Sequence, residues 1–132
     1  MSIPNFTLTA DFPVHPDILS QAWLSSAEHS AFTGSEAIID PRIGGRFTAW
    51  DEYIEGTTLD FEPGISIRQS WRTTDFLETD PDSILELWFT ETPTGTHLKL
   101  IHSGYPAHQE KAYIDGWEKF YFEPMLRYFQ GL

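Results

Sequence analysis

The 132-residue chain contains no cysteine. Disulfides, thiolate metal sites and cysteine nucleophiles are thereby excluded, and the composition suits a reducing compartment, so a cytoplasmic location is expected. Basic residues are scarce as well: eight Lys and Arg stand against 20 Asp and Glu, for a formal net charge of −12. Such a surface repels phosphate backbones, so neither nucleic acid nor an anionic membrane is an expected partner. No apolar run approaches the ~18 residues of a membrane span. The N-terminal stretch "MSIPNFTLTADF" lacks the basic n-region and continuous apolar core of a signal peptide. The length fits a single domain over residues 1–132, able to bury roughly two thirds of the surface its unfolded chain exposes.

Aromatic residues are plentiful, with five Trp, five Tyr and ten Phe. Large flat side chains supply buried area but tile poorly, and they commonly line pockets. Their distribution follows the secondary-structure periods. "FTLTADF" (6–12) alternates as a strand. "VHPDILSQAWLSS" then changes period, with Pro16 suited to a first helical turn and Ile18, Leu19, Ala22 and Trp23 on one face. Ser25 and Glu28 have capping-box spacing for a second short helix that Gly34 can end.

Six strands are expected next, at 36–40, 45–50, 53–62, 66–73, 83–92 and 96–103. Turn chemistry separates them throughout ("PRIGG", "DE", "PG", "PTG"), and short connections between successive strands imply an antiparallel meander. The longest connection, 75–82, carries four acids and is expected to be exposed. Gly44-Gly45 lacks the further glycines and the strand-then-helix setting of a phosphate loop and reads as a turn. Gly56, inside a strand, suggests a bulge. "WDEY" (50–53) reads as a hairpin turn rather than a carboxylate pair.

A last helix, from about Pro106 to Phe129, shows Tyr113, Trp117, Phe120, Tyr121, Pro124 and Tyr128 at helical spacing. Gly116 costs about 1 kcal/mol relative to Ala in its interior, and Pro124 removes a backbone donor, which predicts a kink. Such a helix either accommodates close packing or leaves room beneath it. The expected fold is therefore α+β, a curved antiparallel sheet of about seven strands wrapped around the long C-terminal helix. Two short helices follow the first strand, which can pair with the last.

Period-two alternation places Ile67, Gln69 and Trp71 on one sheet face with Leu85, Leu87, Phe89, Leu98, Leu100 and His102. Tyr113, Trp117 and Tyr121 meet them from the helix. Apolar walls interrupted by Gln69 and His102 describe either a small-molecule pocket or a filled core whose polar members are satisfied internally. His102 itself reads as a pocket contact, a strand–helix hinge, or an acid–base group beside Tyr113 or Tyr121. The five histidines show no His-x-x-His or His-Glu-x-x-His spacing, so no metal site is expected, and nothing in the sequence calls for a cofactor.

Element order together with "PRIGGRF", "YIEGTTLDFEPG", "IRQSW", "LKLIHSGYP" and "DGWEKFYFEPMLRYF" resembles the activator of heat-shock protein 90 ATPase family. The likeness is to its C-terminal-type domain, a member of the START-like (SRPBCC) helix-grip superfamily, and it covers about residues 6–130. It implies a cavity between sheet and C-terminal helix. The separate N-terminal domain of the eukaryotic co-chaperone has no counterpart in these residues.

Three functions are compatible with that scaffold. The leading expectation is a non-enzymatic binder of a small apolar or aromatic molecule, with Gln69, Trp71, Leu87, Phe89, Leu100, His102, Tyr113, Trp117 and Tyr121 around the cavity. The alternatives are a protein-interaction module acting on a heat-shock protein 90-type chaperone, as a monomer or homodimer, and a small enzyme using His102 with a tyrosine.

Overall fold

Proline, serine and glycine mark the boundaries of the N-terminal elements in the computed structural model, which describes residues 3–131. Strand β1 (Asn5–Phe12) leads into α1 (Pro16–Trp23), where His15 caps the helix by accepting the Asp17 N–H on its Nδ1 at 3.1 Å. Ser25 caps α2 (Ser26–Thr33) through the Glu28 N–H at 3.2 Å, and Gly34 ends it at φ 79°, a left-handed conformation that glycine adopts without steric cost.

The remaining strands are β2 (Ile38–Ile39), β3 (Arg46–Ala49), β4 (Ile54–Glu62), β5 (Ser66–Thr73), β6 (Ser83–Thr92) and β7 (Gly95–Ser103). They form one seven-stranded antiparallel sheet in the order β1-β7-β6-β5-β4-β3-β2. β1 pairs with β7 over its whole length, Phe6 opposite His102 and Leu8 opposite Leu100. β2 is shorter than its apolar residues suggest, because Pro41 follows closely and has no N–H to give a ladder.

Two glycine-related expectations change. The β-bulge lies between Thr58 and Asp60, not at Gly56. Gly56 answers to crowding: a Cβ there would run into the carbonyl oxygen of Ser70 and come within 2.8 Å of the Phe47 ring. The turn between β3 and β4 is tight, with Trp50, Asp51 and Glu52 all at positive φ (54°, 56° and 72°). Asp51 is anchored to Glu36 by reciprocal bonds of 3.1 Å, its N–H to the Glu36 carbonyl and its Oδ1 accepting the Glu36 N–H.

The C-terminal helix begins as a 3₁₀ turn (Ala107–Gln109) and continues as α3 (Glu110–Gly116), a π-helical segment (Trp117–Phe122) and α4 (Glu123–Gln130). The π segment takes the place of the expected kink. Pro124 has no N–H, and just before it the Glu123 N–H reaches back five residues to the Glu118 carbonyl. The wider turn also serves packing. Tyr113, Trp117, Tyr121, Met125 and Phe129 recur every fourth residue, and all five are buried. On an ideal α-helix such a stripe drifts by about 40° per step, and the π segment turns it back toward the sheet.

Between helix and sheet lies a core that includes Leu85, Leu87, Leu98 and Leu100, each at most 1% exposed. Fully burying each contributes about 1.5–3 kcal/mol relative to exposure. Helix α1 inserts Trp23 into the same space, against Phe32, Trp117 and Tyr121.

Candidate functional site

Where the β3–β4 turn faces the C-terminal helix, the core does not close. A pocket of about 440 Å³ remains there, within the range of small-molecule sites. The sheet side supplies Trp50, Tyr53 and Ile54 from the turn and the start of β4, Trp71 from β5, and Asp75 just beyond it. The helix supplies Gln109, Ala112, Tyr113, Gly116, Trp117, Phe120 and Tyr121, spaced three and four apart along one face.

Small residues create this space. Gly116 has ordinary helical angles (φ −64°, ψ −44°), and a Cβ on it would meet only the Phe120 ring, at 3.9 Å. Of the two explanations for a mid-helix glycine, room beneath the helix is the one the geometry fits. The walls are aromatic: Trp50 packs edge-on to Phe120 at 5.8 Å between centroids, Trp71 to Tyr113 at 5.1 Å, and Trp117 tilts over Tyr121 at 4.8 Å.

Several polar atoms of the walls are hydrogen-bonded. Asp75 Oδ2 accepts the Tyr53 hydroxyl at 2.5 Å, and its N–H donates to Thr73 Oγ1, which also meets the Tyr113 hydroxyl at 2.8 Å. Burial, reinforced by the bond to Asp75, pushes the Tyr53 phenol up to about 12, so it remains a donor at physiological pH. The Tyr121 hydroxyl pairs with His29 Nε2 at 2.9 Å. Since His29 Nδ1 faces the Trp23 carbonyl at 2.9 Å, Nδ1 carries the proton and Nε2 accepts from the tyrosine. Burial lowers His29 to about 4 and drives Tyr121 upward, so both are neutral.

The residues expected around a cavity divide into two groups. Trp71, Tyr113, Trp117 and Tyr121 line the pocket. Gln69, Leu87, Phe89, Leu100 and His102 do not; all five are buried, the three apolar ones in the hydrophobic core. Gln69 accepts the Trp23 indole N–H on Oε1 at 3.2 Å and donates from Nε2 to Thr58 Oγ1 at 3.1 Å, so its amide joins α1 to β4.

His102 is fully buried at the centre of a directed chain. Trp117 Nε1–H donates to its Nδ1 at 3.1 Å, and its Nε2 faces Ser83 Oγ at 2.9 Å. Ser83 gives its own proton to the Trp71 carbonyl at 2.6 Å, which makes Nε2 the protonated nitrogen. Burial lowers His102 to about 3. With both nitrogens engaged, and the Tyr113 and Tyr121 hydroxyls bonded to Thr73 and His29, His102 is hydrogen-bonded to neither tyrosine. His102 joins the last strand to the helix.

Sequence reasoning missed Trp50, Tyr53, Ile54, Asp75, Gln109, Ala112, Gly116 and Phe120 as lining residues. Gly116 was the available signal, being costly in a helix unless space is needed. Among the described residues, no cluster of three His, Asp or Glu is placed to hold a metal ion, and no helix is long and apolar enough to cross a membrane.

Comparison with known proteins gives a consistent set of relatives. The family described as "Activator of Hsp90 ATPase homolog 1-like protein" matches residues 13–130. The human "Activator of 90 kDa heat shock protein ATPase homolog 1" is 28% identical over 123 residues, covering 93% of this chain but 36% of the human protein. A Dictyostelium discoideum homologue is 20% identical over 85% of this chain and 29% of its own length. The chain thus spans about a third of these relatives. Among solved structures, an HSP90 activator from Plasmodium falciparum superposes with a TM-score of 0.83 at 24% identity, covering 90% of this chain and 91% of that one. CalU16 from Micromonospora echinospora reaches 0.81 at 24% identity over 98% and 76%.

Proposed function

This chain belongs to the activator of Hsp90 ATPase homolog 1-like family on a START-like helix-grip fold, and from that footing we propose that it binds a small apolar or aromatic molecule. The observation carrying this reading is the pocket of about 440 Å³, held open at Gly116 and walled by aromatic rings. A packed domain keeps few voids larger than a water molecule, and an opening of this size forfeits contacts that a bulkier helix residue would supply.

The test is titration with N-phenyl-1-naphthylamine, a neutral dye that brightens in apolar surroundings. Wild type is expected to bind it at micromolar concentration, and Gly116→Leu, which places a branched side chain in the opening, to weaken binding about tenfold or more. Circular dichroism checks that the variant is folded. Equal binding by both folded proteins would overturn the reading.

A second reading is favoured by the relatives' names: docking on a heat-shock protein 90-type chaperone. Phe120, 58% exposed at the pocket rim, would be an apolar anchor for it, within an acidic surface that makes the interaction salt-sensitive. Retention on immobilised chaperone, weakened by Phe120→Ser, is the expected outcome. No retention even at low salt would remove this reading.

A further inference from the structure

We propose that the ligand of this pocket is a small organic cation, an aromatic or alkyl amine or quaternary ammonium, held by aromatic faces with Asp75 as counter-charge. The inference rests on the reading of the pocket as a ligand site and names the chemistry it selects.

Five observations converge on it. Aromatic side chains make up more than half of the lining, and ring faces carry the negative end of a quadrupole that attracts a cation within about 6 Å. Asp75 is the single charged lining residue, and no Lys, Arg or His accompanies it among the described residues. The carboxylate is also uncompensated, since no basic side chain among the described residues forms an ion pair with it. It is oriented rather than loose. Tyr53 holds Oδ2, Thr73 holds the backbone N–H, and Thr73 is in turn bonded to Tyr113, so both flanking phenols are pocket walls. Finally, the net charge of −12 raises the local concentration of cations and disfavours anionic ligands.

Apolar walls alone would not discriminate in this way. A neutral molecule leaves water more readily than its charged isostere, so an unselective apolar pocket prefers the neutral one. Selection of the cation requires the rings and the carboxylate together. Asp75 lies at the solvent-facing side, where its attraction is partly screened, so the rings carry the greater share.

The experiment compares two isosteres, (4-hydroxyphenyl)trimethylammonium and 4-tert-butylphenol, by calorimetry and by shifts of the tryptophan indole N–H resonances at low ionic strength. Wild type is expected to bind the ammonium about five- to tenfold more tightly than the neutral phenol. In Asp75→Asn the ratio should fall to about one or invert. Asp60→Asn removes an equal charge from an exposed position on β4 outside the pocket and should keep the full ratio. Tighter binding of the neutral isostere by wild type would overturn the cation assignment, and a full preference surviving in Asp75→Asn would overturn Asp75 as its counter-charge; either result leaves the pocket reading standing. Failure of both isosteres to bind up to about 5 mM, together with failure of the neutral dye, would overturn both.

Discussion

Trp117 and His102 are joined by a buried hydrogen bond of 3.1 Å, with the indole N–H donating to Nδ1. Trp117 is therefore both a pocket wall on its outer side and the partner that fixes the tautomer of a core histidine on its inner side. Because Nε2–H donates onward to Ser83, which donates to the Trp71 carbonyl, the bond ties the C-terminal helix to three strands.

Trp117→Phe keeps an aromatic ring and removes the donor. The buried Nδ1 is then left without a partner, and a loss of about 1–3 kcal/mol of stability is expected. Urea denaturation checks it, with a lowered midpoint at unchanged slope. A change below about 0.5 kcal/mol would mean that the indole bond contributes little net.

Acid should destabilise this protein earlier than its carboxylates require. Burial holds His29 at about 4 and His102 at about 3, against about 6.5 in an unfolded chain. Below pH 6.5 the unfolded state takes up protons that the native state refuses. Stability is full above that pH and declines as pH falls, until the native histidines themselves titrate. Each group contributes roughly 1.4 kcal/mol per pH unit within the window, so the pair costs roughly 3–4 kcal/mol between pH 7 and pH 5. Relief of repulsion among the acids offsets part of this. Denaturant midpoints across that range test the slope, and C2-proton shifts of His29 and His102 that titrate near 6.5 would contradict it.

Gly116→Ala should stabilise the fold. The position has ordinary helical angles, and the added methyl meets only the Phe120 ring at van der Waals distance. The expected gain is about 0.5–1 kcal/mol, from the lower entropy of the unfolded chain. A higher melting temperature alongside weaker dye binding would mark a position where stability is given up for space. A lower one would indicate that the helix tolerates no side chain there.

The opposite is expected at Gly56. A methyl group would collide with the Ser70 carbonyl across the β4–β5 pair and crowd Phe47, and neither the strand backbone nor a buried ring yields easily. Gly56→Ala should cost about 1–3 kcal/mol or more, read as a lowered thermal midpoint. An unchanged midpoint would show that the two strands can separate locally without cost.

Strand and helix positions were readable because their determinants are local. Alternation of period two set β5, β6 and β7 and assigned Gln69 and His102 inward, while Ser25 and Gly34 delimited α2 within a few residues. Pairing of β1 with β7 followed from connectivity. What a buried polar group bonds to is a different kind of information. Gln69 meets Trp23 across 46 positions and His29 meets Tyr121 across 92, and no periodicity reports such distances.

The sequence by itself determined the α+β architecture, the acidic surface and the presence of an aromatic helix opposite an apolar sheet face, because each depends on composition or on spacing of a few residues. Tertiary structure alone decided where the opening falls. Trp23 from α1 fills the centre of the sheet, the π segment turns the helix stripe back onto the core, and the turn at Trp50–Glu52 brings an indole over Phe120. The space left by those three packings lies at Gly116, beside Asp75, while His102 is fully buried and does not line it. A cavity is the remainder of many packed volumes, and only the assembled side chains define it.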